Sequence, residues 1–165
     1  MGNRGSVLRA IAILTVVTIC SLPVIAQERL STAAGKAETG AKLAYPEVTR
    51  IPAKELMQLI KSKANIVIVD TQVADGYEMW HIPSAINITF DSTANPTDRQ
   101  LMLMALPSDK LIVIYCLCEE GTDSAKMALE LGQLGYSDDL IRVLEGGLIR
   151  WDERGYPMIK QVVPE

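Results

Sequence analysis

The chain has 165 residues, which is enough for one domain with a sizeable core, and 48% of them are hydrophobic. Its 16 basic and 20 acidic residues give a net charge of −4 at pH 7, so no basic surface for nucleic acid is expected. Two of the three cysteines, Cys116 and Cys118, are one residue apart, which excludes a disulfide scaffold because no long loop could be closed.

The N-terminus has the composition of a secretory signal peptide. Arg4 and Arg9 precede an uncharged apolar segment, Ala10–Cys20, and the residues before a cut after Ala26 suit cleavage. The segment is short for a membrane span, so we predict that residues 1–26 are cleaved, with an uncleaved anchor as the alternative. Cleavage would leave 14 basic against 20 acidic residues, a net charge of −6. The predicted location is periplasmic or secreted, with no stable membrane span.

The remaining chain divides into a flexible leader at 27–45, a domain at 46–160 and a tail at 161–165. Apolar segments predict strands at Val48–Ile51, Ile66–Val69, Ala85–Thr89, Leu111–Tyr115 and Ile141–Leu144. Helices are predicted from Pro52 and at Ala74–Met79, Pro96–Leu106, Ser124–Leu134 and Leu148–Arg154. Strands that alternate with helices predict an α/β fold around a mostly parallel five-stranded sheet.

The segment from Leu111 to Ala125 is the most informative for function. Its apolar strand ends at Cys116, and a short polar loop containing Gly121 leads to a helix. Ligands of open α/β sheets bind at the carboxyl ends of strands, and loop amides with a helix N-terminus lower a thiol pKa there. We therefore predict that the cysteine at the end of this strand is a nucleophile. The alternative is a buried structural cysteine, and the second thiol at Cys118 argues against that alternative.

Four blocks, in order, resemble the single-domain rhodanese family. They are Val67–Asp70, then Tyr77-Glu78 with His81–Asn87, then Val113–Cys116, then Leu144–Trp151 with Gly155–Pro157. The resemblance covers roughly Val48 to Met158. It implies a rhodanese-like three-layer fold and a sulfurtransferase without a cofactor. Such an enzyme forms a cysteine persulfide from a small sulfur donor and passes the sulfur to a thiophilic acceptor. A protein partner is also possible.

The chain departs from the family pattern at three places. Gln72 stands where the family usually has Arg, and Trp80 replaces the usual Gly before His81. The family loop has five residues between its catalytic Cys and Ser, whereas seven residues separate Cys116 from Ser124. When the usual spacing is counted back from Ser124, it leads to Cys118 as the nucleophile. The end of the strand favours Cys116 as nucleophile. The Cys-x-Cys form with a two-residue insertion also resembles a rhodanese subgroup, and this resemblance supports that choice.

The loop carries acidic residues and no arginine. This argues against a cysteine phosphatase and against rapid turnover of the thiosulfate dianion, whereas backbone amides can hold a persulfide. The expected substrate-binding residues are Leu117, Glu119, Glu120, Gly121, Thr122, Asp123 and Ser124. Asp70 is expected to brace the site. His81 is expected to make a structural hydrogen bond, with a catalytic base as the alternative. No metal site is expected, because two thiols and a distant histidine do not form a zinc ligand set.

Three functions therefore remain open. The first is an exported sulfurtransferase that uses Cys116. The second is a thiol redox protein in which Cys116 and Cys118 cycle through a disulfide. The third is a rhodanese module of low activity that binds a partner. Loss of one cysteine separates the first two, since a dithiol cycle needs both thiols.

Overall fold

The computed structural model describes Leu43 and residues 45–161. The predicted signal peptide at 1–26, almost all of the leader and residues 162–165 of the tail lie outside the described residues.

The strands are β1 (Arg50–Ile51), β2 (Ile66–Asp70), β3 (Trp80–His81), β4 (Ala85–Asn87), β5 (Leu111–Tyr115), β6 (Ile141–Leu144) and β7 (Ile159–Lys160). The α-helices are α1 (Ala53–Lys61), α2 (Ala74–Met79), α3 (Pro96–Met104), α4 (Thr122–Gln133) and α5 (Gly147–Glu153), with one 3₁₀ turn at Asp138–Leu140. Five strands form a parallel sheet in the order β1-β6-β5-β2-β4. The predicted α/β fold with a five-stranded parallel sheet is confirmed.

The central strand β5 is buried on both faces, because its side chains alternate between two cores. Ile112 and Ile114 pack in one core with Leu131 of α4, and Val113 and Tyr115 pack in the other with Trp151 of α5. Helices α3 and α4 thus cover one face of the sheet, and α1 and α5 cover the other. These are the three layers that the resemblance implies.

Some boundaries differ from the predictions. The antiparallel pair β3–β7 was not predicted, because two-residue strands are too short to show a period. Helix α4 begins two residues before the predicted Ser124, since Gly121 adopts φ +69° and turns the chain directly into the helix. This early start brings the amides of the first turn of α4 close to the loop after β5.

Candidate functional site

The loop after β5 lies at the carboxyl edge of the sheet. The backbone N–H of Leu148, in α5, donates to the Cys116 carbonyl at 2.9 Å. Gly147 packs so closely that a Cβ on it would lie 2.5 Å from the carbonyl oxygens of both Cys116 and Cys118. The N-terminus of α5 therefore fixes the backbone that carries both cysteines.

Both cysteines are free, and their sulfur atoms lie 2.9 Å apart. The Cys116 side chain is buried at the end of β5, whereas Cys118 is partly exposed. The Ser124 hydroxyl lies 3.5 Å from the Cys116 sulfur, and the Cys118 carbonyl lies 3.4 Å from it. The sequence leaves two candidates for the nucleophile, Cys116 from the end of the strand and Cys118 from the spacing to Ser124. The two extra loop residues place both sulfurs at one site, so both candidates belong to the same site.

The pKa values of the two thiols are shifted in opposite directions. The pKa of Cys118 is lowered to about 6, first because its sulfur accepts a hydrogen bond from Cys116 and then because the amides of Thr122 and Gly121 point at it. The same hydrogen bond, together with burial, raises the pKa of Cys116. The attack assigned to Cys116 stays a prediction, but the burial of Cys116 and the amides directed at Cys118 favour Cys118 as the thiolate and Cys116 as its proton-bearing partner.

The sulfurs open into a pocket of about 410 Å³, which we name the cysteine pocket. Its lining residues are Thr71, Gln72, Val73, Gly76, Met79, Trp80, Phe90, Cys116, Leu117, Cys118 and Asp123. Leu117 and Asp123 were predicted as substrate-binding residues. The wall from Thr71 to Trp80 was not, although Gln72 and Trp80 stood out as departures from the family pattern.

The other predicted loop residues do not line the cysteine pocket. Gly121 and Thr122 instead direct backbone amides to the Cys118 sulfur. Ser124 contacts the sulfur of Cys116 and the carbonyl of Gly121. Glu119 pairs with Arg150 of α5 at 3.3 Å, and Glu120 is exposed. Of these acidic residues, Asp123 is thus the one that lines the pocket.

Asp70 and His81 make hydrogen bonds to residues near the site, Asp70 to Gln72 and His81 to Tyr77. The Asp70 carboxylate accepts from the backbone N–H of Gln72 at 2.8 Å and from its side-chain amide at 3.0 Å. Burial raises the pKa of Asp70, and hydrogen bonds from Tyr115 and Gln72 oppose that shift. His81 Nδ1 lies 2.7 Å from the Tyr77 carbonyl, and the two rings stack at 4.0 Å.

Arg50 is a site residue that sequence reasoning missed. It lies on β1, and a Cβ on Gly121 would come within 2.9 Å of its Nη1 atom. Burial lowers the pKa of Arg50, whereas Glu145 and Cys116 act in the opposite direction. A cation therefore lies beside the loop although the loop sequence has none. No sequence signal indicated it, because its approach depends on how β1 and α4 pack.

Two further observations concern the described residues only. Within residues 45–161 and Leu43, no three His, Cys, Asp or Glu side chains are grouped so that they could hold a metal ion. None of the helices in this part of the chain is both long and apolar enough to span a bilayer.

The fold is that of a rhodanese-type domain. The Rhodanese-like domain family matches residues 52–154, more than half of the chain, and the chain belongs to this family. A rhodanese-related protein from Thermoplasma volcanium superposes with a TM-score of 0.55 at 26% identity, covering 68% of this chain and 99% of that one. Thiosulfate sulfurtransferase from Pseudomonas aeruginosa has a TM-score of 0.53 at 17% identity over 71% and 21%, a likeness of fold alone.

Curated relatives share the domain within longer chains. The adenylyltransferase and sulfurtransferase UBA4 of Candida albicans is 28% identical over 104 residues, 63% of this chain and 23% of the relative. The HTH-type transcriptional regulator Rv0324 of Mycobacterium tuberculosis is 30% identical over 138 residues, 82% of this chain and 54% of the relative. This chain thus spans about a quarter of the first and about half of the second. Family membership supports a sulfurtransferase-type function in general.

Proposed function

We propose that this protein is an exported sulfurtransferase that receives sulfane sulfur on Cys118. The observation that carries the proposal is the pair of sulfurs, 2.9 Å apart, at the end of the central strand and open to the cysteine pocket. The lowered pKa of Cys118 supports it as the attacking thiolate at neutral pH. Export rests on the signal-like residues 1–26.

The proposed reaction needs only the groups at the loop. The Cys118 thiolate attacks the sulfane sulfur of the donor, the donor's bond to that sulfur breaks, and the rest of the donor leaves with the electron pair. The amides of Gly121 and Thr122, which face the Cys118 sulfur, stabilise the negative charge of the persulfide. A thiophilic acceptor then attacks the outer sulfur and regenerates the Cys118 thiolate.

The walls of the cysteine pocket favour donors of low charge. Among the residues that the structure describes, Asp123 and the two cysteines are the titratable ones that line it, and Arg50 beside the loop is not part of the lining, so the lining itself does not compensate a dianion such as thiosulfate. Val73 and Met79, which are 61% and 59% exposed, add apolar surface to its wall. The Thr71 hydroxyl is buried there without a hydrogen-bond partner among the described residues, and it could bind a polar atom of the substrate. The exposed apolar surface also supports a protein thiol as the acceptor.

A dithiol redox cycle is the second candidate. The 2.9 Å distance between the sulfurs supports it, because a disulfide would require little movement. It differs from sulfur transfer in its need for both thiols.

Intact mass after treatment with benzenethiosulfonate tests the proposal. This donor is a monoanion with an apolar ring, and it releases benzenesulfinate when its sulfane sulfur is taken. We expect the Cys116→Ser variant to gain one sulfur atom and the Cys118→Ser variant to gain none. An adduct on Cys118→Ser but not on Cys116→Ser would restore the assignment to Cys116. Absence of adduct and of sulfinate for the wild type and both variants would contradict sulfur transfer and favour the partner-binding module.

A further inference from the structure

Cys116 is placed to react with Cys118 rather than with a substrate. Its side chain is only 3% exposed, and its sulfur is surrounded by the Cys118 sulfur at 2.9 Å, the Cys118 carbonyl at 3.4 Å and the Ser124 hydroxyl at 3.5 Å. Cys118 is the more exposed thiol. A donor in the pocket therefore reacts with Cys118 first. Cys116 contacts the Cys118 sulfur, and in a persulfide on Cys118 that sulfur is the inner of the two sulfur atoms.

We propose that the Cys116–Cys118 pair converts bound sulfane sulfur to sulfide. In this step Cys116 attacks the inner sulfur of the Cys118 persulfide and releases hydrosulfide. The proposal rests on the proposed function, because it begins from a persulfide on Cys118. It adds a product, free sulfide, that sulfur transfer to an acceptor does not give.

The step balances without any outside oxidant. The bond between the Cys116 and Cys118 sulfurs forms, and the bond between the inner and outer sulfurs of the persulfide breaks. The outer sulfur leaves with the electron pair and with the Cys116 proton, as hydrosulfide. The two cysteine sulfurs are oxidised to a disulfide, and the sulfane sulfur is reduced to sulfide.

The geometry favours this step over transfer of sulfur to Cys116. Attack on the inner sulfur uses the contact that already exists, 2.9 Å from the attacking atom. Attack on the outer sulfur would instead move the sulfane sulfur into the buried position of Cys116.

Each turnover ends with a disulfide between two cysteines that a single residue separates. Cys118 is partly exposed, and exposed disulfides are more readily reduced. An external dithiol attacks Cys118, which is the accessible sulfur of the pair. The dithiol is thus the co-substrate that supplies the two electrons.

The experiment uses the reduced full chain, freed of reductant and mixed with one equivalent of benzenethiosulfonate and no acceptor. Released benzenesulfinate reports the first step, and released sulfide reports the second. We expect the wild type to release close to one sulfide per sulfinate and to lose two hydrogen atoms in mass, with Cys116 and Cys118 linked in the peptide map. The rate of sulfide release should not depend on protein concentration, because the attack is intramolecular.

Two variants separate the steps. Cys116→Ser should release sulfinate, retain one added sulfur atom and release no sulfide, whereas Cys118→Ser should release neither product. Wild type that forms sulfinate but keeps its sulfur until an acceptor is added would overturn the inference and leave the proposed function intact. Wild type that forms no sulfinate would overturn both. The wild-type measurement alone decides, so a variant that fails to fold does not prevent a conclusion.

Discussion

At the scale of single residues, we expect the hydrogen bond between the two thiols to set the reactivity of the site. The Cys118 thiolate accepts from Cys116, and this is the largest cause of its pKa of about 6. We expect Cys116→Ala to raise the Cys118 pKa toward the ordinary thiol value of about 8.5, although the amides of Gly121 and Thr122 remain. The pH dependence of iodoacetamide alkylation at Cys118, read by mass spectrometry, measures the midpoint.

The sign of this dependence follows from the acid equilibrium. In the wild type the thiolate fraction falls as pH drops through about 6, so alkylation slows below that pH. In Cys116→Ala the decline should begin at a higher pH. Cys116→Ser is the matched control, because its hydroxyl can still donate, and its midpoint should lie between the other two. An unchanged midpoint in Cys116→Ala would show that the amides alone activate Cys118.

We expect Asp123 to limit the charge of the donors that the pocket accepts. Its carboxylate lines the cysteine pocket and raises the Cys118 pKa, against the dominant effect of Cys116. Reversal of this charge in Asp123→Arg should raise kcat/KM for thiosulfate about five- to tenfold, because a charge contact contributes on the order of 1 kcal/mol even in water. Steady-state kinetics with thiosulfate provide the measurement.

The control for that charge reversal is Asp109→Arg. Asp109 is exposed and precedes β5, so it lies at the amino edge of the sheet, opposite the cysteine loop. The same change in net charge there should leave kcat/KM for thiosulfate unchanged. An equal gain in both variants would mean that net charge matters rather than the local charge of the pocket, and no gain in Asp123→Arg would mean that donor charge does not limit the rate.

At the scale of elements, the N-terminus of α5 supports the loop that carries the cysteines. Gly147 has φ +55°, and a Cβ there would lie 2.5 Å from two carbonyl oxygens of the loop. Gly147→Ala must therefore displace the backbone of Cys116 and Cys118, at a cost of about 1–3 kcal/mol in the free energy of unfolding. We expect a loss of sulfur transfer of at least about tenfold, because small displacements of reacting groups are costly.

Gly155→Ala is the matched control for Gly147→Ala. Gly155 has φ +66°, but nothing lies within 4 Å of its Cβ position. The control thus carries the backbone strain of a positive φ, about 1–2 kcal/mol, without a clash at the loop. Urea unfolding and single-turnover sulfinate release compare the two. If both variants lose activity equally, the support from α5 is not specific to the site.

The elements that the sequence predicted well are those with long, unambiguous patterns. β5 reads as five consecutive β-forming residues, and Ile112–Tyr115 are buried between its neighbours, so pattern and structure agree. The pair β3–β7 could not be predicted, because each strand has two residues and is stabilised by a partner about 80 positions away. Arg50 was missed for a similar reason, since its position beside Gly121 is a property of tertiary packing.

The register of the nucleophile shows a different limit of sequence reasoning. One spacing rule selects Cys116 from the end of the strand, and another selects Cys118 from the start of the helix. Each rule treats the loop as having one reactive position. The folded loop brings both sulfurs to 2.9 Å, so the choice depends on exposure and hydrogen bonding, which the sequence does not specify.

At the scale of the whole molecule, the order of the strands and the proposed export both bear on the reactions of the two cysteines. β5 lies in the centre of the order β1-β6-β5-β2-β4, so its carboxyl end opens where neighbouring loops can form walls on both sides. An exported dithiol would work in an oxidising compartment. There the Cys116–Cys118 pair would depend on delivered reductant, and the proposed release of sulfide would be coupled to that supply.

Export itself is tested on the full chain in a Gram-negative host. We expect a soluble periplasmic or secreted product whose N-terminal sequence starts near Gln27, because Arg4, Arg9 and the apolar segment after them direct translocation. Leu14→Arg places a charge inside that segment and should leave the chain in the cytoplasm with its signal intact. Leu101→Arg is the matched control: it is the same substitution at a leucine that is 60% exposed on α3, and export should be unaffected. Wild-type chain in the membrane fraction with residues 1–26 retained would indicate the uncleaved anchor, and an intact Met1 in the soluble cytoplasmic fraction would contradict export.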